Sequence, residues 1–376
     1  MKRSILRHVL SLSLAVISVL GTTSVAHAVD LTGEIEKLNS EFKNALGYPI
    51  IIVDKPDFQK FLAKHGYENT DNEDILARGL FTYIKQKHGY QMLPEEAGTL
   101  APSFRPTNKD ASAQPFYTEK VRFNQMKYCV VIPSVTNNTP LEEIKRITGA
   151  DTHPELFKNF NFEKAMSLLS QEEIQLFSLY HELSHCLDRN YIAAINEFEV
   201  VPHNLHLTEA FAETNALFML FQRHRLKKLG APRSILRTLY SKYYGPSLAQ
   251  KESNVYASEA TRAGGSVYFL SPVLLPAQKE IDTNPTQIQS MSLEQTLALS
   301  KLIVDHHAIN KTSFEAMHMM MKEGPDVILP HYQRLAAKKP SMFLKPYQDL
   351  LYFKSVLDSV DKVLDSVQSV QVNNKN

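Results

Sequence analysis

Residues 170–188 read SQEEIQLFSLYHELSHCLD, and they form the most informative stretch of the chain. Ser170 and Glu173 have the spacing of a capping box, which predicts that a helix begins here. Apolar residues then recur every three or four positions on more than one side, which is typical of a largely buried helix. These residues are Ile174, Phe177, Leu179, Leu183 and Leu187.

The middle of this helix carries the pentapeptide His181-Glu182-Leu183-Ser184-His185. Residues four apart on a helix project from the same face, so both imidazoles point the same way, one turn apart. Two neutral imidazole nitrogens in this arrangement can bind one tetrahedral Zn²⁺ ion. Glu182 is rotated by about 100° from His181, so its carboxylate can lie beside the ion and take a proton from water. We predict one Zn²⁺ site with His181 and His185 as ligands and Glu182 as the general base.

The alternative is an ordinary helix whose polar side chains are hydrogen-bonded within the protein. A buried imidazole or carboxylate without a partner costs about 1–3 kcal/mol, and a bound metal supplies the compensation.

Residues 208–216 read TEAFAETNA and supply the candidates for a third ligand. They begin a predicted helix that runs to Leu229 and is closed by Gly230 and Pro232. Glu209 and Glu213 are four apart, so both can face the histidine helix. We assign Glu209 to the zinc ion and Glu213 to the second N–H of a ligand histidine. The reverse assignment of the two glutamates stays open, as does a solvated acidic start of a helix.

Other residues near the motif offer weaker alternatives as ligands. His203 and His206 precede Glu209 and could each supply a nitrogen, and Glu197 lies closer to the motif in sequence. Cys186 is turned off the metal face by the same rotation as Glu182. Cys129 could bind the metal only as the inhibitory thiolate of a latent precursor.

HELSH followed by TEAFAE resembles the zincin metallopeptidases, and within them the gluzincins, whose third ligand is a glutamate on a later helix. The resemblance covers residues 181–216. It implies a zinc site between two lobes, with the two histidines in one lobe and Glu209 in the other. Asp188 and Tyr191 stand where the metzincin subgroup has glycine and histidine, and Glu213 replaces the aspartate of the best-known gluzincin pattern.

Outside the motif, the chain alternates predicted helices with two short apolar strands. Helices are predicted over 34–46, 73–87 and 352–370, strands over 50–53 and 128–132, and a proline-rich loop or lobe boundary over 91–115. We therefore expect an α+β fold that is predominantly helical, zincin-like and two-lobed. Residues 29–188 would form the N-terminal lobe and residues 189–376 a helical C-terminal lobe.

The N-terminus has the three parts of a secretory signal peptide. Lys2, Arg3 and Arg7 precede an apolar run that is shorter than a bilayer span, and small residues end at Ala28. We expect cleavage of residues 1–28 after Ala28 and a soluble protein that is periplasmic or secreted. In an oxidising compartment Cys129 and Cys186 either form one disulfide or stay as buried thiols.

The charge composition limits the classes of binding partner that we expect. Lys and Arg number 41 against 40 Asp and Glu, a formal charge of +1, which disfavours nucleic acid and anionic lipid as ligands. No later segment approaches the length of a membrane span. Sequence leaves the oligomeric state open.

The expected activity is hydrolysis of peptide bonds in a peptide or protein substrate. Tyr268 and His306 are candidates for the group that stabilises the oxyanion. The rival interpretations are an inactive zincin-like metal-binding or interaction protein and a zinc amidohydrolase acting on a non-peptide amide. A further alternative makes residues 29 to about 120 a removable prosegment.

Overall fold

The computed structural model describes residues 31–373, apart from residues 45, 119–124, 135–137, 193–200 and 252–257, and gives only the backbone of residues 367–373. The predicted signal peptide and Glu197 lie outside the described residues. The chain forms two compact units: a smaller one of residues 31–138 and 172–187, and a larger one of residues 139–171 and 188–373. This division differs from the predicted boundary near residue 188, because residues 139–171 belong to the larger unit.

The smaller unit is built on a three-stranded sheet with the strand order β1-β3-β2. Its strands are β1 (Ile50–Ile52), β2 (Ser112–Tyr117) and β3 (Met126–Ile132). The central strand β3 pairs in parallel with β1 and antiparallel with β2. The helices of this unit are α1 (Leu31–Glu41), α2 (Lys55–Lys64), α3 (Glu73–His88), α4 (Pro94–Leu100) and α7 (Gln171–Leu187), with a 3₁₀ turn at Ala101–Phe104. Burial of the apolar side chains of α2 and α3 against alternate residues of β3 forms its core.

The described residues of the larger unit form helices joined by turns and loops, with no strand among them. Its helices are α5 (Pro140–Thr148), α6 (Phe162–Met166), α8 (Pro202–His224), α9 (Gly230–Leu239), α10 (Gly245–Gln250), α11 (Glu259–Arg262), α12 (Gly264–Val267), α13 (Ser271–Thr283), α14 (Pro285–Gln289), α15 (Leu293–His307), α16 (Lys311–Glu323), α17 (Pro325–Lys338) and α18 (Pro340–Asn373). A 3₁₀ turn covers Pro154–Phe157, and a π-helical turn at Tyr240–Tyr244 joins α9 to α10. Helix α8 packs against α12, α13 and α15.

The predominantly helical α+β class predicted from the sequence is confirmed. The proline-rich stretch 91–115 was wrongly predicted to lack regular structure. Pro94 occupies the first turn of α4, where its missing N–H costs nothing, and Pro115 lies in β2. No described helix is long and apolar enough to cross a membrane.

The helix that carries Glu209 begins earlier and ends earlier than predicted. It starts at Pro202 and stops at His224, because Arg225 adopts a left-handed conformation with φ of 59°. The Arg225 N–H closes the helix by donating to the Phe221 carbonyl. Gly230, which we expected to end this helix, instead begins α9.

Candidate metal centre

His181 and His185 lie one turn apart on α7, and both are buried. Their Nε2 atoms approach to 3.2 Å, and their rings are nearly perpendicular, at 88°. Two nitrogens that far apart, each about 2.05 Å from one ion, subtend an angle of about 100° at the ion, close to the tetrahedral value. The pair therefore has the geometry of two ligands of one tetrahedral metal ion.

The C-terminal end of α7 is fixed to the sheet of the smaller unit at the residue after His185. A disulfide joins Cys186 to Cys129 in the central strand β3, and the Tyr48 hydroxyl donates to the Cys186 carbonyl at 2.8 Å. Six residues earlier on the same helix, the buried Tyr180 hydroxyl donates to the carboxylate of Glu34 in α1. These contacts hold the backbone on either side of both histidines.

Glu209 is buried within α8, seven residues (about two turns) after the helix begins at Pro202. The ligand atoms of His181, His185 and Glu209 all lie within 4.8 Å of one another. Two imidazole nitrogens and one carboxylate oxygen are a donor set that suits zinc, and all three residues are buried. The described residues thus contain a group of donors that could bind one metal ion.

Glu182 is half-buried and lies next to His181 on the same helix. Its role as the general base stays a prediction.

Glu213 is fully buried one turn after Glu209 and is bound by two arginines. Arg233 Nε and Nη2 donate to its carboxylate at 2.8–3.1 Å, and Arg237 Nε donates at 2.8 Å. Burial and the neighbouring Arg237 lower the pKa of Arg233. For Arg237 the carboxylates of Glu213 and Glu209 outweigh burial and raise the pKa above its usual range. The predicted role of Glu213 as acceptor for a ligand histidine stays a prediction beside this ion-paired role.

Arg233 and Arg237 were not predicted from the sequence as residues of the site. The available signal was their spacing of four along α9, which places two guanidinium groups on one helix face. Five residues separate α9 from the end of α8.

His203 and His206 are held in hydrogen bonds to backbone groups of the larger unit. His206 Nδ1 donates to the Val267 carbonyl at 2.9 Å, and its Nε2 accepts from the Ile309 N–H at 3.3 Å. His203 Nε2 donates to the Ile309 carbonyl at 2.8 Å. Burial lowers the pKa of His206 to about 4, so this ring is neutral at neutral pH. Both nitrogens of His206 and one nitrogen of His203 are therefore engaged in hydrogen bonds to backbone groups.

Cys129 is bonded to Cys186, so it has no thiolate to offer as an inhibitory ligand. Of the two candidates for an oxyanion donor, His306 is exposed in the last turn of α15. Tyr268 is half-buried and packs over Arg237, whose Cζ atom lies 4.7 Å from the ring centre. The two candidates therefore differ in their surroundings: Tyr268 is held against a neighbouring side chain, whereas His306 is exposed.

Comparisons with protein-family models, curated proteins and solved structures found no match to this chain.

Proposed function

We propose that the chain is an exported, zinc-dependent metallopeptidase with His181, His185 and Glu209 as its metal ligands. The main support for the proposal is that the ligand atoms of two buried imidazoles and one buried carboxylate all lie within 4.8 Å of one another. The set matches the three-ligand plan of catalytic zinc, which keeps one position open.

The chemistry of each residue type suggests its role in the reaction. Zinc, when bound, supplies a Lewis acid that polarises a carbonyl and makes water more acidic. Glu182 takes the proton from the attacking water and delivers it to the leaving amine, since a carboxylate beside the metal can do both in turn. Glu213, bound to Arg233 and Arg237, stabilises the helix pair that carries Glu209.

Export is supported by two independent features. The N-terminal residues have the pattern of a signal peptide with cleavage near Ala28. Cys129 and Cys186 form a disulfide, a bond that persists in oxidising compartments such as the periplasm. We therefore place the mature protein in the periplasm or outside the cell.

Two other functions use the same metal donors. A catalytically inactive protein would bind zinc without hydrolysing any bond, and an amidohydrolase would act on a non-peptide amide. Hydrolysis of unfolded proteins or peptides separates the proposal from both.

The test compares the mature chain with Glu182→Gln and with Glu172→Gln, a matched change in the first turn of the same helix. We expect zinc-dependent cleavage of an unfolded protein by wild type and Glu172→Gln, and a loss of at least 10²-fold in Glu182→Gln with its zinc retained. Wild type that binds zinc but cleaves only small amides supports the amidohydrolase, and zinc binding with no hydrolysis at all supports the inactive protein. Undiminished cleavage by Glu182→Gln removes the mechanism.

A further inference from the structure

Tyr268 lies at the end of a tightly packed turn in the larger unit. Helix α12 begins with Gly264 and Gly265, and a Cβ atom on Gly265 would lie 2.6 Å from the Cα atom of Gly245 in α10. The neighbours of Tyr268 in sequence, Val267 and Phe269, are fully buried, whereas Tyr268 is half-buried. The turn is therefore rigid, and its tyrosine is the residue that keeps access to solvent.

Two contacts fix this turn to α8 on either side of Glu209. The first is the hydrogen bond from His206, three residues before Glu209, to the Val267 carbonyl. The second is Arg237, which donates to Glu213, four residues after Glu209, and lies against the face of the Tyr268 ring. Residues three or four apart lie on one face of a helix, so these contacts hold the turn against the face of α8 that carries Glu209. The charge of Glu209 also acts on Arg237, the residue that packs on Tyr268.

Arg237 is held in place by Glu213 and orients the Tyr268 ring. Its guanidinium is buried, and its Nε and Nη2 atoms are bound to Glu213, so its position is set by a charge-assisted pair. A cation held over an aromatic face is attracted to the ring and orients it. The Tyr240 ring then meets Tyr268 edge-on, with centroids 5.1 Å apart, and limits movement from the other side.

We infer that Tyr268 is a catalytic residue that donates its phenolic hydrogen to the oxyanion of the tetrahedral state, and that Arg237 is its positioning residue. The inference rests on the proposed peptidase function and deepens it. A pre-oriented neutral donor of this kind stabilises charge that develops only during reaction, so its removal lowers kcat more than it raises KM.

The aromatic cluster supplies a matched control. Tyr243 belongs to the same π-helical turn as Tyr240, but its hydroxyl donates to Asp361 at 3.0 Å, and its ring packs on Phe157 and Phe160. Loss of its hydroxyl therefore tests for general effects of removing a phenol from this unit.

The experiment measures zinc content, kcat and KM on one peptide, and affinity for a phosphonate analogue of that peptide, which carries a tetrahedral oxyanion. Tyr268→Phe is expected to keep one zinc, lower kcat by about 10²-fold with little change in KM, and weaken phosphonate binding by at least 10-fold. Tyr243→Phe is expected to match wild type in all four measurements.

A double-mutant cycle tests the role of Arg237. Arg237→Lys is expected to lower kcat by about 10-fold when Tyr268 is present. In the Tyr268→Phe background the same change should alter kcat little, because Arg237 acts through the Tyr268 hydroxyl. Equal losses in both backgrounds contradict the positioning role.

The outcomes separate this inference from the proposed function. An active wild type with unchanged kcat and phosphonate affinity in Tyr268→Phe overturns the inference and leaves the peptidase standing. Tyr240→Phe is measured beside them, and a loss of kcat confined to that variant also overturns the inference, since the donor is then the neighbouring phenol. Wild type that binds zinc but neither cleaves peptides nor binds the phosphonate overturns both.

Discussion

The Nε2 atoms of His181 and His185 converge to 3.2 Å across one turn of a buried helix. Two neutral imidazoles at this distance can share one hydrogen bond, with one ring as donor and the other as acceptor. A metal ion replaces that hydrogen and satisfies both nitrogens at once. The disulfide from Cys186 to Cys129 in β3 fixes the end of the helix that carries the two rings.

Zinc is expected to stabilise the folded protein. An ion that binds only the native state adds about 4 kcal/mol of unfolding free energy at a concentration 1,000 times its Kd. Calorimetry with excess zinc and with a chelator should therefore show a higher Tm for wild type in zinc. His181→Ala should melt at one temperature under both conditions, and an equal zinc-dependent rise in this variant would contradict the assigned ligand.

In the ion-paired cluster of Glu213, Arg233 and Arg237, we expect loss of the carboxylate to cost more unfolding free energy than loss of one guanidinium. Glu213→Gln leaves two buried guanidiniums without their carboxylate and should lower the unfolding free energy by about 3–5 kcal/mol. Arg233→Met leaves a neutral Glu213–Arg237 pair and fills similar volume, so its cost should be about half of that or less. Urea unfolding of both variants measures the difference, and equal costs would show that charge does not dominate this cluster.

Removal of the disulfide should destabilise the protein. The bond joins residues separated by 57 positions, for which chain entropy gives about 4 kcal/mol. The Cys129→Ala, Cys186→Ala double variant should therefore unfold at lower denaturant concentration. Because Cys186 follows His185 directly, the variant should also bind zinc more weakly. Unchanged zinc affinity would mean that helix α7 keeps its position without the bond.

Buried His206 should make stability fall with acid. Its pKa is about 4 in the folded protein because of burial, against about 6.5 when unfolded. The unfolded state therefore binds more protons below pH 6.5, so the stabilisation present above that pH is lost as the pH falls towards 4. Between pH 7.5 and pH 5 the loss is about 2 kcal/mol from this residue.

His206→Asn is the variant that isolates this effect. Chemical denaturation at both pH values, in chelator, should show a pH-dependent loss smaller by that amount than in wild type. His306→Asn, which changes an exposed histidine, should keep the wild-type dependence. The same slope in His206→Asn and wild type would assign the acid sensitivity to other groups.

Periodicity and capping patterns predicted the local elements that carry the site. The S-x-x-E pattern and apolar spacing placed the histidine helix within one residue of α7 (Gln171–Leu187). The end of α8 was mispredicted because glycine was expected to stop the helix, whereas Arg225 took the left-handed position. Local sequence does not show which residue tolerates that conformation.

Long-range relationships were harder to predict. The cysteines left a choice between a disulfide and two thiols, which only the pairing of β1 with β3 and the placement of α7 could decide. The arginines that bind Glu213 lie 20 and 24 residues further along the chain, and no periodicity connects them to it. Glu209 as third ligand came from residue type and spacing, and its place within 4.8 Å of both histidines follows from the fold.

The most direct measurement is the zinc content of the purified mature chain, determined by elemental analysis beside His185→Ala and Glu213→Gln refolded under the same conditions. We expect about one equivalent of zinc in wild type, none in His185→Ala, and retained zinc in folded Glu213→Gln. Wild type without zinc, or His185→Ala that keeps a full equivalent, would contradict a metal site built on His181, His185 and Glu209.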